Sequence, residues 1–475
     1  MFQDLKPYDA YGNPASAWIP AFPASWNVKP GAGVLFEVRD RNDGLRESTV
    51  LSLSYGRVIV KPTDKLHGLV PASFETYQIL EPGDIVFRPT DLQNDQRSIR
   101  VGAVEDRGII TSAYIGLRPR GIDPQFAFLY LRVLDYLKVF YGMGSGLRQN
   151  IDVRDFKRLP IPVPPVEEQG AIVTYLAHAH QRINMAIATK RRLIALLTEY
   201  GSLVTQEILA GRVGSDASAL VDSRSEQLGL VPEDWRLVRV GVIVRGIQTG
   251  PFGSQLHANE YVAGGVPVVN PKHIVGGRIL PEEAVTISEV RARSLARHRL
   301  RAGDVIAARR GELGRSAVVQ PDDEGAVCGT GSVVIRIDES QVTPEYFQRV
   351  FSSPQTRGQL EEASRGATMP NLNEGMIARV RVALPPCELQ KSVLGAVDEE
   401  VSKQGRRISA VSREIELLEE FRTRLTADVV TGQVDVRSIA ATLPPIELAD
   451  VFANSAGAVD TEVDETADEA GMEDE

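Results

Sequence analysis

Two cysteines in 475 residues, Cys328 and Cys387, cannot build a disulfide framework or a cysteine-rich metal centre, and six histidines add little ligand capacity. A reducing, cytoplasmic setting is expected, with no bound metal. No window approaches the roughly 18 uninterrupted apolar residues of a membrane span, and MFQDLKPYDAYGNPASAW lacks an apolar core of signal-peptide length. The chain is expected to be soluble and not exported. Catalytic signatures are missing too: there is no GxxxxGK[ST] phosphate loop, no HExxH, no CxxC pair and no G-x-S-x-G elbow. The Pro-Pro pairs are followed by Val, Cys and Ile, so the Asn/Asp-Pro-Pro-aromatic tetrapeptide of amino-methyltransferases is absent. Asp322, Asp323 and Glu324 read as a solvated turn. With no catalytic constellation, a non-enzymatic targeting role is the economical expectation.

What is present suffices for folded domains: 43% hydrophobic and 24% charged residues, over a length that suggests about three domains. The net charge of −10 argues against a polyanion partner only until it is located. Eleven acids and no Lys or Arg follow Arg437, so the rest of the chain holds 52 acids against 53 bases. Residues 439–475, acidic and nearly free of aromatics, are expected to form a disordered tail.

The chain repeats itself. PPVEEQ at Pro164 and PPCELQ at Pro385 open about fifty residues that align without a gap, including Gln169 with Gln390, Ile194 with Ile415, Gly211 with Gly432 and Val213 with Val434. Upstream, LEPGDIV at Leu80 resembles LRAGDVI at Leu300, Pro124 falls opposite Pro344, Asn150 opposite Asn371, and PASWNV at Pro23 resembles PEDWRL at Pro232. Two copies of one plan follow: mixed segments at 1–160 and 225–380, helical segments at 161–215 and 381–438.

The helical segments carry apolar stripes at alternating spacings of three and four. Leu176, Ile183, Ile187, Ile194 and Leu197 mark the first, and Val397, Ile408, Ile415, Leu418 and Leu425 the second. Proline precedes each start, Glu167 and Glu168 occupy a first turn, and Gly211 and Gly432 supply stops. A 44-residue helix is about 66 Å long. Such rods need a partner, and an antiparallel coiled coil between the copies is expected, with Lys190 and Gln404 as polar register marks. Gly201 argues against perfect continuity of the first rod.

The mixed segments alternate short β-rich runs, such as GDIVFRPTD and GDVIAARRGELG, with short helices such as PQFAFLYLRVLDYL and PEYFQRVF; the fold class is α+β. Gly83-Asp84 and Gly303-Asp304 read as turns before strands. In the second copy, residues 291–315 hold Arg291, Arg293, Arg297, Arg299, Arg301, Arg309, Arg310 and Arg315 against Asp304 and Glu312, and Lys272 lies nearby in NPKHIVGGR. Clustered arginine fits phosphate contact and bidentate reading of guanine edges; a solvated face is the rival reading. The first copy offers Lys61, Arg88, Arg97 and Arg100, with Gln93 and Asn94 as amides able to pair with adenine.

The tandem plan, the tracts LPIPVPPVEEQ and VRVALPPCELQ, the helix ends ILAGRV and VVTGQV, and the GSGLRQNI and GATMPNLN segments resemble type I restriction-modification specificity subunits over about residues 20–438. The resemblance implies a non-catalytic subunit with two tandem α/β target recognition domains, each followed by a long helix. Each domain would read half of a split DNA site, and the helices would pair and set the gap. It also implies two methyltransferase subunits that hold S-adenosylmethionine, and restriction subunits that use ATP, so this chain itself carries no cofactor. The acidic extension departs from the family pattern. Readings from other classes are a self-sufficient DNA-modifying enzyme and a coiled-coil scaffold without DNA contact.

Overall fold

The computed structural model describes residues 5–14, 20–62, 73–90, 92, 95, 98–143, 150–213, 219–251, 255–257, 260–364 and 371–446. Contacts divide the chain into two units. Unit 1 takes the residues up to Arg192 and those from Ser412 onward; unit 2 takes Leu193–Val411. Four helices organise them: α1 (Pro124–Tyr136), α2 (Val166–Leu209), α3 (Pro344–Phe351) and α4 (Cys387–Val430). Each unit thus holds part of α2 and part of α4. No described helix is long and apolar enough to cross a membrane.

The duplication is a duplication of topology. In unit 1 the strands β1 (Leu35–Glu37), β2 (Ile85–Phe87), β3 (Val101–Ala103) and β4 (Ile115–Pro119) form an antiparallel sheet of order β1-β4-β2-β3. In unit 2 the strands β5 (Val244–Thr249), β6 (Val305–Ala308), β7 (Ser316–Val318) and β8 (Ser332–Ile337) form one of order β5-β8-β6-β7. A further antiparallel ladder draws the ends of each domain together, Asn27–Pro30 with Pro160–Val163 and Arg236–Arg239 with Arg381–Leu384. Apolar runs of three to six residues make these strands because their branched side chains fill the buried faces. β2 and β6 are buried along their whole length.

The Gly-Asp pairs are turns, as expected. Gly83 and Gly303 have φ of +93° and +85°, where a side chain is disfavoured. Asp84 and Asp304 then accept the backbone N–H three residues earlier, from Glu81 at 2.9 Å and Arg301 at 3.0 Å. Arg118 and Arg336 approach the same carboxylates at 2.6 and 3.6 Å.

The repeated glutamine of the Pro-Pro motif is a clamp. Gln169 Nε2 donates to Pro164 O at 2.7 Å and its Oε1 accepts from Asp123 N at 2.6 Å. Gln390 does the same with Pro385 O at 3.3 Å and Thr343 N at 2.8 Å. Asp123 and Thr343 are the N-caps of α1 and α3, each followed by proline. One buried amide therefore joins the start of each long helix to the start of the helix packed on its sheet.

The long helices run antiparallel within each unit. In unit 1, His180 meets Thr426 at 2.8 Å, Asn184 meets Arg422 at 2.7 Å and Lys190 pairs with Glu414, so partners descend along α4 as positions rise along α2. In unit 2 a Cβ on Gly201 would stand 2.8 Å from Gln404 Cγ. Here the sequence reading is corrected: α2 passes through Gly201 unbroken, and the glycine is there because Gln404 comes too close for any side chain. Leu176, Ile183, Ile187, Val397 and Leu425 are buried, while Ile194, Leu197, Ile408, Ile415 and Leu418 are half-buried.

The helix stops also repeat. Gly211 and Gly432 have φ of +69° and +71°. The former packs on Pro232 and Trp235 in unit 2, the latter on Pro23 and Trp26 in unit 1. The proposed start of the tail at residue 439 is corrected as well: Ala440 is buried, Leu443 packs on the core of unit 1, and Pro444 O lies 2.9 Å from His178 Nε2. The acidic segment 447–475 lies outside the described residues.

Candidate nucleic-acid interface

β2 and β6 leave their sheets at equivalent points. In unit 1 the exit is Arg88-Pro89, where Pro89 O accepts from Ile151 N at 3.0 Å; in unit 2 it is Arg309-Arg310, where Arg309 O accepts from Leu372 N at 2.9 Å. The described ends of the GSGLRQNI and GATMPNLN segments are thereby fixed beside the exits. The structure brings the sequence-nominated cations Arg88, Arg309 and Arg310 to these two places.

Their environments differ. Arg88 is half-buried and 3.6 Å from Asp95. Arg309 is buried, its Nε donates to Asn371 Oδ1 at 2.9 Å, and burial pulls its pKa below the ordinary arginine value. Arg310 is exposed and makes no ion pair with any described residue. Arg301 of the same cluster is likewise exposed and in no ion pair with a described residue. Asn371 was missed as a site residue; its place opposite Asn150 in the repeat was the available signal.

Three corrections follow. Arg100 is fully buried: its guanidinium donates to Thr90 O at 2.6 Å and to Tyr141 Oη at 3.2 Å, so it staples the loop after β2 and presents nothing to a duplex. Arg309 acts chiefly inside the fold, through Asn371. The arginine-rich window is less cationic than its residue count, because Glu260 and Glu289 from outside it and Glu312 within it pair with its arginines. Glu260 pairs with Arg291 at 2.8 Å, and Glu289 with Arg293 and Arg299 at 3.4 and 2.7 Å. Glu312 takes Arg315 at 2.6 Å, and Glu282 takes Lys272 at 2.6 Å. These pairs hold Glu260, Glu289, Glu312 and Glu282 below the usual carboxylate range: the backbone N–H of His257 leads for Glu260, and the cations lead for the others. All are at the surface, where each pair contributes little to stability. Lys61 is exposed. Gln93, Asn94 and Arg97 lie outside the described residues.

Residues 103–195, from β3 through the Pro-Pro motif into α2, match the family model described as the type I restriction modification DNA specificity domain. The specificity subunit of the type I restriction enzyme MjaVIII of Methanocaldococcus jannaschii is 21% identical over 70% of this chain and 76% of its own length. The chain is similar to the type I restriction-modification specificity subunits. A second relative from the same organism, the putative type I restriction enzyme MjaX specificity subunit, is 19% identical over 44% of this chain and 49% of its own. A chain from a solved structure of a type I restriction-modification system shares the fold, with a TM-score of 0.53 and 17% identity over 86% of this chain and 98% of that one. The family match falls on the first copy of the plan, and the second copy repeats its sheet order.

Proposed function

We propose that this chain reads a split, asymmetric DNA site, one half with each unit, and does no chemistry itself. The observation that carries the reading is the repetition of one sheet order with different side chains at the strand exits, Arg88 in one unit and Arg309-Arg310 in the other. Two similar but non-identical readers suit two unlike half-sequences. Lys61, Arg88, Lys272, Arg291, Arg293, Arg310 and Arg315 are the cations offered to the duplex. Those now in surface ion pairs exchange a carboxylate for a phosphate at little cost, since such pairs are weak in water.

The partners in this reading are two methyltransferase subunits holding S-adenosylmethionine, with restriction subunits using ATP joining them. Each unit offers them exposed apolar residues on its long helices: Leu193, Leu196, Tyr200 and Leu203 of α2 in unit 2, and Leu417 and Phe421 of α4 in unit 1. Helix length then sets the unspecified gap, since reading heads on one face of a duplex engage about one helical turn, 34–36 Å, apart.

Excising one heptad from both α2 and α4 tests this. Mapping methylated adenines in the host with the gene intact, deleted and shortened should show loss of a split motif on deletion, and an altered gap with unchanged half-sequences on shortening. Changed half-sequences with a constant gap would refute it.

A further inference from the structure

A cavity of about 410 Å³ opens within unit 1, where α1 packs against α2 and α4. Ile99, Phe128 and Leu129 give it apolar walls, and Arg132, Lys138 and Arg422 bring three cations to its lining against one carboxylate, Asp135. His180, also in the wall, adds no charge, because burial and then the two nearby guanidiniums hold its pKa down at about 3.

The charges are poorly matched. Arg132 donates to Gly56 O at 3.1 Å and lies over the Phe128 ring at 5.7 Å; Arg422 donates to Asn184 Oδ1 at 2.7 Å. Neither has a carboxylate at ion-pair distance among the described residues, and burial pulls the Arg132 pKa down to about 10, with the nearby Asp135 carboxylate opposing the shift and Arg422 adding to it. Asp135 is 4% exposed; its Oδ2 accepts from Arg100 N at 2.7 Å, while its Oδ1 has no partner among the described residues. Cations with too little countercharge and an unsatisfied acceptor are both costly, and a bound molecule of the right chemistry removes both costs.

The other copy shows that the fold does not require this chemistry. At the positions corresponding to Arg132, Asp135, His180 and Arg422, unit 2 has Ser352, Gln355, Val401 and Gly201. The cavity beside Gln355 is about 30 Å³.

We propose that the unit 1 cavity binds a small amphipathic anion: a carboxylate or phosphate on an aromatic or apolar body that carries an N–H or O–H donor. The anionic group faces Arg132 and Arg422, the donor satisfies Asp135 Oδ1, and the body lies on Phe128 and Leu129. This assignment is independent of DNA reading and of the partner subunits.

Calorimetric titration of the full chain with 4-aminobenzoate and 4-aminophenyl phosphate tests it, and the tighter of the two identifies the anionic group. One saturable site per chain is expected, with aniline, benzoate and inorganic phosphate, which each lack one of the three features, binding at least about tenfold more weakly. The variants Arg132→Ser and Arg422→Gly, which install the residues unit 2 already accommodates, should weaken binding by at least about tenfold. Thr423→Trp at the rim should block it while leaving both guanidiniums in place. No saturable binding to the folded full chain, equal binding of aniline, or binding unchanged in all three variants would overturn the proposal.

Discussion

α1 and α3 begin alike, on Asp123-Pro124 and Thr343-Pro344, and diverge after two turns. α1 continues through Arg132 and Asp135, whereas the second copy places Pro354 opposite Leu134 and starts a new helix with Ser353 as its N-cap. The same contrast recurs nearby. Glu168 of α2 is buried and accepts from Tyr8 Oη at 2.6 Å and Trp26 Nε1 at 2.7 Å, while the corresponding Leu389 of α4 is 40% exposed. What the two units share is backbone-directed: the glutamine clamps, the Gly-Asp turns and the glycine stops. What they do not share is buried side-chain chemistry. Selection on a duplicated scaffold preserves interactions that fix the chain path and leaves the rest free to specialise.

The glycine stops allow the largest test of that division. Gly211→Val and Gly432→Val each force a branched side chain into the left-handed region. In the first, the new Cβ would stand 2.6 Å from Trp235; in the second, 2.3 Å from Pro23. Strain and overpacking together should cost about 3 kcal/mol or more in either variant. Hydrogen exchange read by mass spectrometry should show Gly211→Val loosening unit 2 and Gly432→Val loosening unit 1. Equal loss of protection in α1 and α3 from either variant would mean that the two units share one cooperative transition.

A smaller effect is expected from the clamps. Gln169→Ala strands Asp123 N and Pro164 O, and Gln390→Ala strands Thr343 N and Pro385 O, at about 2 kcal/mol each. Gln390 also donates to Gln341 O at 3.2 Å, so its loss should be the greater of the two in urea denaturation. The reverse order would show that the clamp matters more where α1 also walls the cavity.

These local devices were legible in the sequence because proline, glycine and apolar spacing act over a few residues. The boundaries of α2, the two starts after Pro-Pro and the positive-φ stops could all be read from pattern. The charge map was not legible. Arg291 and Lys272 are neutralised by Glu260 and Glu282, which reach them only through folding. Arg100 looked like an available cation because most of its acceptors are backbone carbonyls, which no side-chain pattern announces. Gly201 looked like a defect for the same reason, since Gln404 approaches it from 203 positions away. The cavity was hidden too, because Arg132 and Asp135 meet His180 and Arg422 only through folding.

The buried histidine offers the finest test of the contrast between the units, because its counterpart Val401 cannot titrate. His180 ionises near 6.5 in the unfolded chain and at about 3 in the folded one, with burial first and then Arg422 and Arg132 opposing its charge. Between those values the unfolded state binds a proton that the folded state refuses, so the histidine's contribution to stability is complete above about pH 6.5 and falls as pH drops toward 3. Asp135, whose carboxyl is raised by burial, acts in the opposite sense, gaining stability as pH falls. His273 and His298 in unit 2 are also lowered by burial, so whole-molecule melting mixes sources. A Trp18→Phe, Trp235→Phe background confines tryptophan fluorescence to Trp26 of unit 1. There, lowering pH from 7.5 to 5.5 should destabilise the parent by about 1 kcal/mol more than His180→Val. Equal slopes for the two would place the acid sensitivity of unit 1 elsewhere and remove His180 from the neutral wall of the cavity.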